Sequence, residues 1–392
     1  MKVNYEFLDS EPIENIITCL NYVFERVVYF GYPDVIARYQ KTTEKFLKKY
    51  CNVRSVEFVP VDYYDINSVS SAISRAIEDD INNGGEIYCD ITGGDSIVMT
   101  AFGMYAQKHN LPIHYFDVKS NSLVEYGNGE GHYLSKDVTS QTVTLDIKRY
   151  IEMYGGAINP GLHKDFKGNL TPSERRDFEL TWEIAYNNWD SWNPLSDFLR
   201  KIFDIDDTTL RAVADVVDMS AEYSNNKKIK SMTDFSALIE EFRVRGLVTD
   251  VNCSGGYYSF RFKNKDIKQY IWESGSVLEM HIYLENAGNS DDCMVGVHID
   301  WDGEISPDVK QDVYNEVDVL VLKGNIMTFT SCKSGNVDGK ALLSALYELK
   351  TVSDRLGGKY SKRVLAVVKN ITHTYRERAA EMGIEIKKYS NI

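Results

Sequence analysis

The sequence predicts an α/β protein in three segments, and three observations carry that reading. Up to about residue 150, short apolar strand-like runs alternate with segments whose apolar residues recur at helical spacing. Residues 151–264 change to helix-rich text that ends in a helix, a turn and a hairpin closed around Ser-Gly-Gly. From residue 265 to 392 a helix is followed by three strand-like runs, then helix, strand, helix and a short strand.

In residues 1–150 the strand-like runs are KVNYEFL, RVVYFGY, SVEFVPV, EIYCDIT and PIHYFDV. Between them lie EPIENIITCLNYVF, DVIARYQKTTEKFLKKY, INSVSSAISRAIEDDINN and DSIVMTAFGMYAQKHN, each with a helical stripe. Strict strand–helix alternation implies crossover connections and a parallel sheet covered on both faces, a Rossmann-like domain. It lacks the GxGxxG fingerprint after its first strand. DIKRYIEMYGG then reads as a helix stopped by a glycine pair, and the polar connector AINPGLHKDFKGNLTPSE follows. Residues 174–220 read as helical and rich in Trp and Tyr, and MTDFSALIEEFRVRGLV with TDVNCSGGYYSFRF reads as a winged-helix-like module. The last segment is predicted to open with one helix over KDIKQYIWESGSVLEMHIYLENAG; its strands are CMVGVHIDW, EVDVLVLKG, IMTFTSCK, KRVLAVVK and IEIKKY.

The 392-residue chain is 43% hydrophobic and 26% charged, the balance of a globular protein with full cores. No apolar run is long enough to span a bilayer, and MKVNYEFLDSEP lacks the pattern of a signal peptide, so no membrane partner and a cytoplasmic location are expected. Six scattered cysteines without a CxxC pair indicate neither a disulfide framework nor a zinc site. A net charge of −14 argues against wrapping nucleic acid over the whole surface. The end of the chain is nonetheless locally basic, with twelve Lys and Arg against six acids from Lys333 onward. That basicity fits a solvated helical face as well as a phosphate-facing patch.

CDITGGDSIVMTAFGMYA sets Thr92, Gly93 and Gly94 between a buried strand and a helix start. Glycines there let the backbone approach a ligand, and a helix N-terminus favours an anion. Thr92 and Ser96 add hydroxyls, and Asp95 is placed to cap the helix while repelling a phosphate that comes close. Strand, DITGG, helix, in a Rossmann-like domain joined to a nuclease-like segment, resembles the CARF domains of type III CRISPR defence. The resemblance implies a homodimer that binds a cyclic oligoadenylate, cyclic tetra-adenylate first, across its two-fold axis. The ligand would touch Asp9, Ser10 and Glu11 after the first strand, and Thr92, Gly93, Gly94, Asp95 and Ser96.

In the last segment Asp318 lies in NEVDVLV and Lys333 ends the next strand. Residues two apart on a strand share a face, so Ser331 and Lys333 point together and Cys332 points away. The element order resembles the PD-(D/E)xK restriction-endonuclease-like core, in which carboxylates hold Mg²⁺ or Mn²⁺ beside a lysine. Ser331 stands where that family has an acid, so Glu348 on the following helix is expected to supply the second carboxylate. Glu279, on the opening helix, and Glu316, on the strand of Asp318, are further candidates. The resemblance implies Asp318, Glu348 and the Cys332 backbone carbonyl as metal ligands, Lys333 as the charge-stabilising group, and 5′-phosphate products. His281, His298 and His373 show no ligand spacing.

Together these features resemble the Card/Can nucleases, in which a CARF domain controls an allosterically activated, metal-dependent endonuclease acting on RNA or DNA. The alternative is a non-enzymatic regulator in which the sensor controls DNA binding through the winged-helix-like middle. A third reading is a ring nuclease that degrades its own ligand.

Overall fold

The computed structural model describes residues 1–62, 65–126, 134–137, 143–160, 170–303, 314–337 and 339–391. Its first part runs β1 (Lys2–Phe7), α1 (Ile17–Asn21), β2 (Arg26–Gly31), α2 (Pro33–Tyr50), β3 (Ser55–Pro60), α3 (Ile66–Asn82), β4 (Glu86–Asp90), α4 (Ser96–His109), β5 (Ile113–Asp117), β6 (Ser122–Tyr126) and β7 (Leu134–Asp137). These strands form one sheet in the order β3-β2-β1-β4-β5-β6-β7. The first five are mutually parallel, as the alternation predicts, and β6 and β7 extend the sheet as an antiparallel hairpin. Strand order reverses beside β1 and β4, so the loops that follow these two strands flank the crevice where sheets of this kind bind ligands. Local chemistry agrees with the elements: Pro33 opens α2, the Asp65 carboxylate caps α3, and Asn110 in the left-handed region (φ 52°) closes α4.

The middle comprises α5 (Ile147–Met153), β8 (Ala157–Ile158), α6 (Pro172–Asn187), α7 (Trp189–Ile202), β9 (Asp204–Asp206), β10 (Arg211–Asp215), α8 (Val216–Glu222), α9 (Met232–Val244), β11 (Val248–Ser254) and β12 (Tyr257–Phe262). Helix α9 and the hairpin of β11 and β12 reproduce the predicted helix–turn–hairpin. Gly255 and Gly256 close its turn with φ of +62° and +84°, values that favour glycine. Residues 174–220 are not helical throughout, because β9 and β10 join the hairpin in a four-stranded antiparallel sheet. The tryptophans serve packing, as expected: Trp189 and Trp192 are fully buried in the core of this part.

The last part comprises α10 (Lys265–Trp272), α11 (Ser276–Ala287), β13 (Asp292–Asp300), β14 (Tyr314–Lys323), β15 (Ile326–Lys333), α12 (Gly339–Gly357), β16 (Lys362–Val367), α13 (His373–Glu381) and β17 (Ile384–Lys388). The single opening helix predicted from 265 onward is two helices. Glu273 turns extended at the end of α10, and α11 restarts after Gly275. Six strands form the sheet β17-β16-β15-β14-β13-β8, so Ala157–Ile158 from the middle supplies its edge. One apolar core runs from α1 and β2 through Tyr150 and Met153 of α5 to Leu320, Phe329, Leu346 and Leu356. The first and last sheets therefore share packed side chains rather than a flexible linker. Among the described residues no helix is long and apolar enough to cross a membrane.

Candidate functional site

The six-stranded sheet presents different residues to its two covering helices. Leu320, Leu322, Met327, Phe329 and Leu365 pack with Leu342, Leu346 and Leu349 of α12. Val319, Val321, Cys332 and Ala366 pack with Val277, Leu278 and Ile282 of α11. By the two-residue alternation of strands, Asp318, Ser331 and Lys333 stand on the α12 face. There they line one cavity of about 160 Å³ together with Glu316, Thr330 and Glu348. The expectation that Ser331 and Lys333 point together, with Cys332 turned away and Glu348 reaching in from the next helix, matches this arrangement. Glu279 sits on α11, which covers the other face; it is buried (7% exposed) and is not among the residues lining the cavity.

Asp318 occupies a gap that its own strands open. The hydrogen-bonded ladder between β14 and β15 runs from Lys323/Ile326 to Val319/Thr330. Beyond that point the Asp318 Oδ2 accepts the Cys332 N–H at 2.5 Å and the Ser331 hydroxyl at 3.3 Å. On its far side β15 pairs with β16, where the Val368 N–H reaches the Lys333 carbonyl at 3.3 Å. Peptide groups alternate in direction along a strand, so the Cys332 carbonyl faces the Asp318 side. Burial pushes the Asp318 carboxyl above its usual range and Glu316 adds to the rise, while Lys333, the Cys332 N–H and the Ser331 hydroxyl pull it back. Glu348 is held by Asn315, whose amide donates to Oε1 at 3.2 Å. Glu316 lies 3.9 Å from the His298 ring nitrogen. His281 stacks on Trp182 at 3.7 Å, a packing role that spacing alone does not reveal.

Three residues with carboxylates line this cavity, Glu316, Asp318 and Glu348, all hard oxygen donors; Cys332, whose carbonyl the resemblance implies as a ligand, is not among its lining residues. That chemistry suits Mg²⁺ or Mn²⁺, and a cation there would relieve the burial penalty on Asp318. Among the described residues no group of three His, Cys, Asp or Glu side chains stands together as a ready metal cage. Such an ion would depend on the carboxylates that line the cavity, completed by water.

At the first sheet, the loops after β1 and β4 meet. Gly93 and Gly94 are held against β1, where a Cβ would stand 3.0 Å from Asp9 and 3.2 Å from Phe7 respectively, and Gly94 has φ +117°. The Gly94 N–H donates to Asp9 Oδ2 at 3.0 Å, while Asp9 Oδ1 accepts the Glu11 N–H at 3.0 Å and the Ser10 hydroxyl at 3.3 Å. Asp95 caps α4, its Oδ1 accepting the Ile97 and Val98 N–H groups at 2.9 and 3.0 Å, so the helix start is already served by a carboxylate. Thr92 is buried, and its hydroxyl oxygen accepts the Phe116 N–H at 3.0 Å; Ser96 is exposed. The Glu11 carboxylate points into the protein, accepting the Tyr154 hydroxyl and the Lys359 N–H. Several of the eight residues expected at the ligand thus have side chains engaged within the protein: Thr92 with Phe116, Asp95 with the start of α4 and the Tyr32 hydroxyl, and Glu11 with Tyr154 and Lys359. Glu14 and Lys359, which sequence reading passed over, take part in the same contact.

No family model and no curated protein matches the sequence. Solved structures do share the fold. Protein VC1899 from Vibrio cholerae superposes with a TM-score of 0.73 at 16% identity, over 99% of this chain and 94% of that one. Can2 from Sulfobacillus thermosulfidooxidans, in complex with cyclic tetra-adenylate, gives a TM-score of 0.66 at 16% identity, over 99% and 93%. A type III CRISPR defence DNA nuclease activated by cyclic oligoadenylate gives a TM-score of 0.52 at 12% identity; the match covers 93% of this chain but 45% of that one.

Proposed function

We propose that this chain is a cyclic-oligoadenylate-activated, metal-dependent endonuclease of type III CRISPR defence, with cyclic tetra-adenylate as its activator. The observation that supports this most is the shared cavity of Asp318, Ser331, Lys333 and Glu348 in a fold that extends over nearly the whole of a cyclic-tetra-adenylate-bound structure. In this reading residues 1–150 sense the ligand as a homodimer, 151–264 connect, and 265–392 cut RNA or DNA.

Asp318 and Glu348, with the Cys332 carbonyl, would hold Mg²⁺ or Mn²⁺. When bound there, such an ion would supply Lewis-acid chemistry to phosphodiester hydrolysis. Lys333 brings its ammonium to the phosphate oxygens as charge develops there. The Ser331 hydroxyl and Cys332 N–H keep the Asp318 carboxylate aimed into the cavity. Ligand binding at the Gly93–Gly94 loop favours the cleavage-competent arrangement by binding that state more tightly.

The test uses labelled single-stranded RNA, single-stranded DNA and supercoiled plasmid with Mn²⁺, with and without cyclic tetra-adenylate. Cleavage of at least one substrate that depends on the ligand is expected. No cleavage of any substrate in either condition overturns the enzyme reading.

A further inference from the structure

Residues in the loop after β1 hold the turn that follows α12. Glu11 and Glu14 follow β1, and each is only 5% exposed. Their target is the tight turn Gly358–Tyr360 that directly follows α12. Glu11 Oε2 accepts the Lys359 N–H at 2.7 Å. Glu14 Oε2 pairs with the Lys359 ammonium at 2.9 Å, and Glu14 Oε1 accepts the Tyr360 hydroxyl. The Gly357 carbonyl, at the end of α12, accepts the Tyr150 hydroxyl at 3.3 Å, and Arg355 reaches the Tyr154 carbonyl at 2.6 Å. Gly358, at φ +60°, leaves no room for a side chain, because a Cβ there would lie 2.1 Å from Glu11 Oε1.

The same segment is wired to the glycine loop. One Asp9 carboxylate takes the Gly94 N–H on one oxygen and the Glu11 N–H on the other. An anionic ligand that claims the Gly94 N–H competes with Asp9 and so disturbs the backbone that carries Glu11. The Lys359 ammonium is half exposed, but the two carboxylates are buried, and moving the turn away would strip them of a backbone N–H and a tyrosine hydroxyl, a loss that suits a two-position element.

We propose that Glu14, Lys359 and Tyr360, with Glu11, are positioning residues: they clamp the end of α12 to the ligand loop and so set where α12 presents Glu348. The clamp transmits the state of the Asp9–Gly94 contact to the cavity of Asp318 without touching either ligand or substrate. This inference rests on the activated-nuclease reading given above.

The experiment compares wild type with Glu14→Gln and Tyr360→Phe, each read three ways. Calorimetry gives cyclic tetra-adenylate affinity, a cleavage assay gives the ratio of stimulated to basal rate, and hydrogen exchange follows residues 339–357 with and without ligand. Ligand affinity is expected to stay within about threefold while the stimulation ratio falls about tenfold, inside the usual range of coupling between sites. The ligand-induced change in protection of α12 is expected in wild type and lost in both variants. Lys359→Arg, which keeps the charge, is expected to retain most of the stimulation. Variants that melt earlier yet keep the wild-type stimulation ratio and exchange response overturn the clamp and leave a purely structural role. If wild type cuts nothing, the nuclease reading fails, and the exchange response of α12 still decides the clamp: no response in wild type overturns it.

Discussion

The Asp318 carboxylate accepts the backbone N–H of Cys332 at 2.5 Å, across a gap where the ladder between β14 and β15 has already ended. Two strands that part at Val319/Thr330 thus leave a carboxylate, a serine hydroxyl bound to it and a lysine at one small cavity. A surface Asp–Lys pair on an unbroken ladder would have neither the buried carboxyl nor a backbone N–H left free to hold it.

Lys333 is the sharpest probe of that cavity. Lys333→Ala is expected to lower ligand-stimulated cleavage about a hundredfold or more, the scale for losing a group that meets developing charge. Its affinity for cyclic tetra-adenylate, measured by calorimetry, is expected to match wild type. Unchanged cleavage removes Lys333 from the site.

The carboxylates separate by position. Asp318→Asn and Glu348→Gln are each expected to weaken Mn²⁺ binding, followed by calorimetry or by the spin signal of free ion, and to abolish cleavage. Glu279→Gln, on the far face of the sheet, is expected to act through packing and to leave Mn²⁺ affinity within about twofold. If Glu279→Gln alone abolished ion binding, the ligand set proposed here would have to be redrawn. Because burial holds the Asp318 carboxyl above its usual range, protons compete with the ion, so Mn²⁺ affinity is expected to fall as pH drops through that raised range.

Asp90, fully buried at the head of the glycine loop, gives a separate pH signature. Burial raises its carboxyl from 3.8 to about 6. In that window the folded chain binds more protons than the unfolded one, so the Asp90 contribution is present at low pH and is lost as pH rises through about 6. Asp90→Asn keeps an acceptor for the Thr92 N–H, which sits 2.8 Å from Asp90 Oδ1. The substitution is expected to stabilise the chain by about 1–3 kcal/mol near pH 8. It should also flatten the pH dependence of the melting temperature below that; a variant that melts earlier at every pH contradicts this.

Gly94 carries the conformation of the loop. Gly94→Ala places a side chain at φ +117° and 3.2 Å from Phe7. A cost of about 1–3 kcal/mol is expected in thermal or denaturant unfolding, with loss of cyclic tetra-adenylate binding. Full ligand affinity in a destabilised variant would detach the loop from ligand recognition.

Much of this architecture was legible because the relevant signals are local. Strand–helix alternation fixed the parallel sheet, SGG the hairpin, and the two-residue rule the shared face of Ser331 and Lys333. The rest depends on contacts distant in sequence. Helices α10 and α11 part because they pack on different partners, α10 on α6 and α7 and α11 on the six-stranded sheet, and Ala157–Ile158 becomes an edge strand by pairing with β13. Glu11 is a ligand residue only as the CARF resemblance implies it. Its carboxylate turns inward because Lys359 and Tyr154, far along the chain, complete it. A pair of glutamates in SEPIEN opposite GGKY carries no periodicity, so sequence pattern has no means of pairing them.

The central claim is that ligand at the first sheet licenses chemistry at Asp318 and Lys333. Its most direct measurement is the cleavage rate of supercoiled plasmid and single-stranded oligonucleotides by wild type and Lys333→Ala in parallel, with Mn²⁺ and cyclic tetra-adenylate each present or absent. Cleavage by wild type only when both are present, and by Lys333→Ala in no condition, is the predicted result. Equal cleavage by the two proteins, or wild-type cleavage that ignores the ligand, contradicts the account.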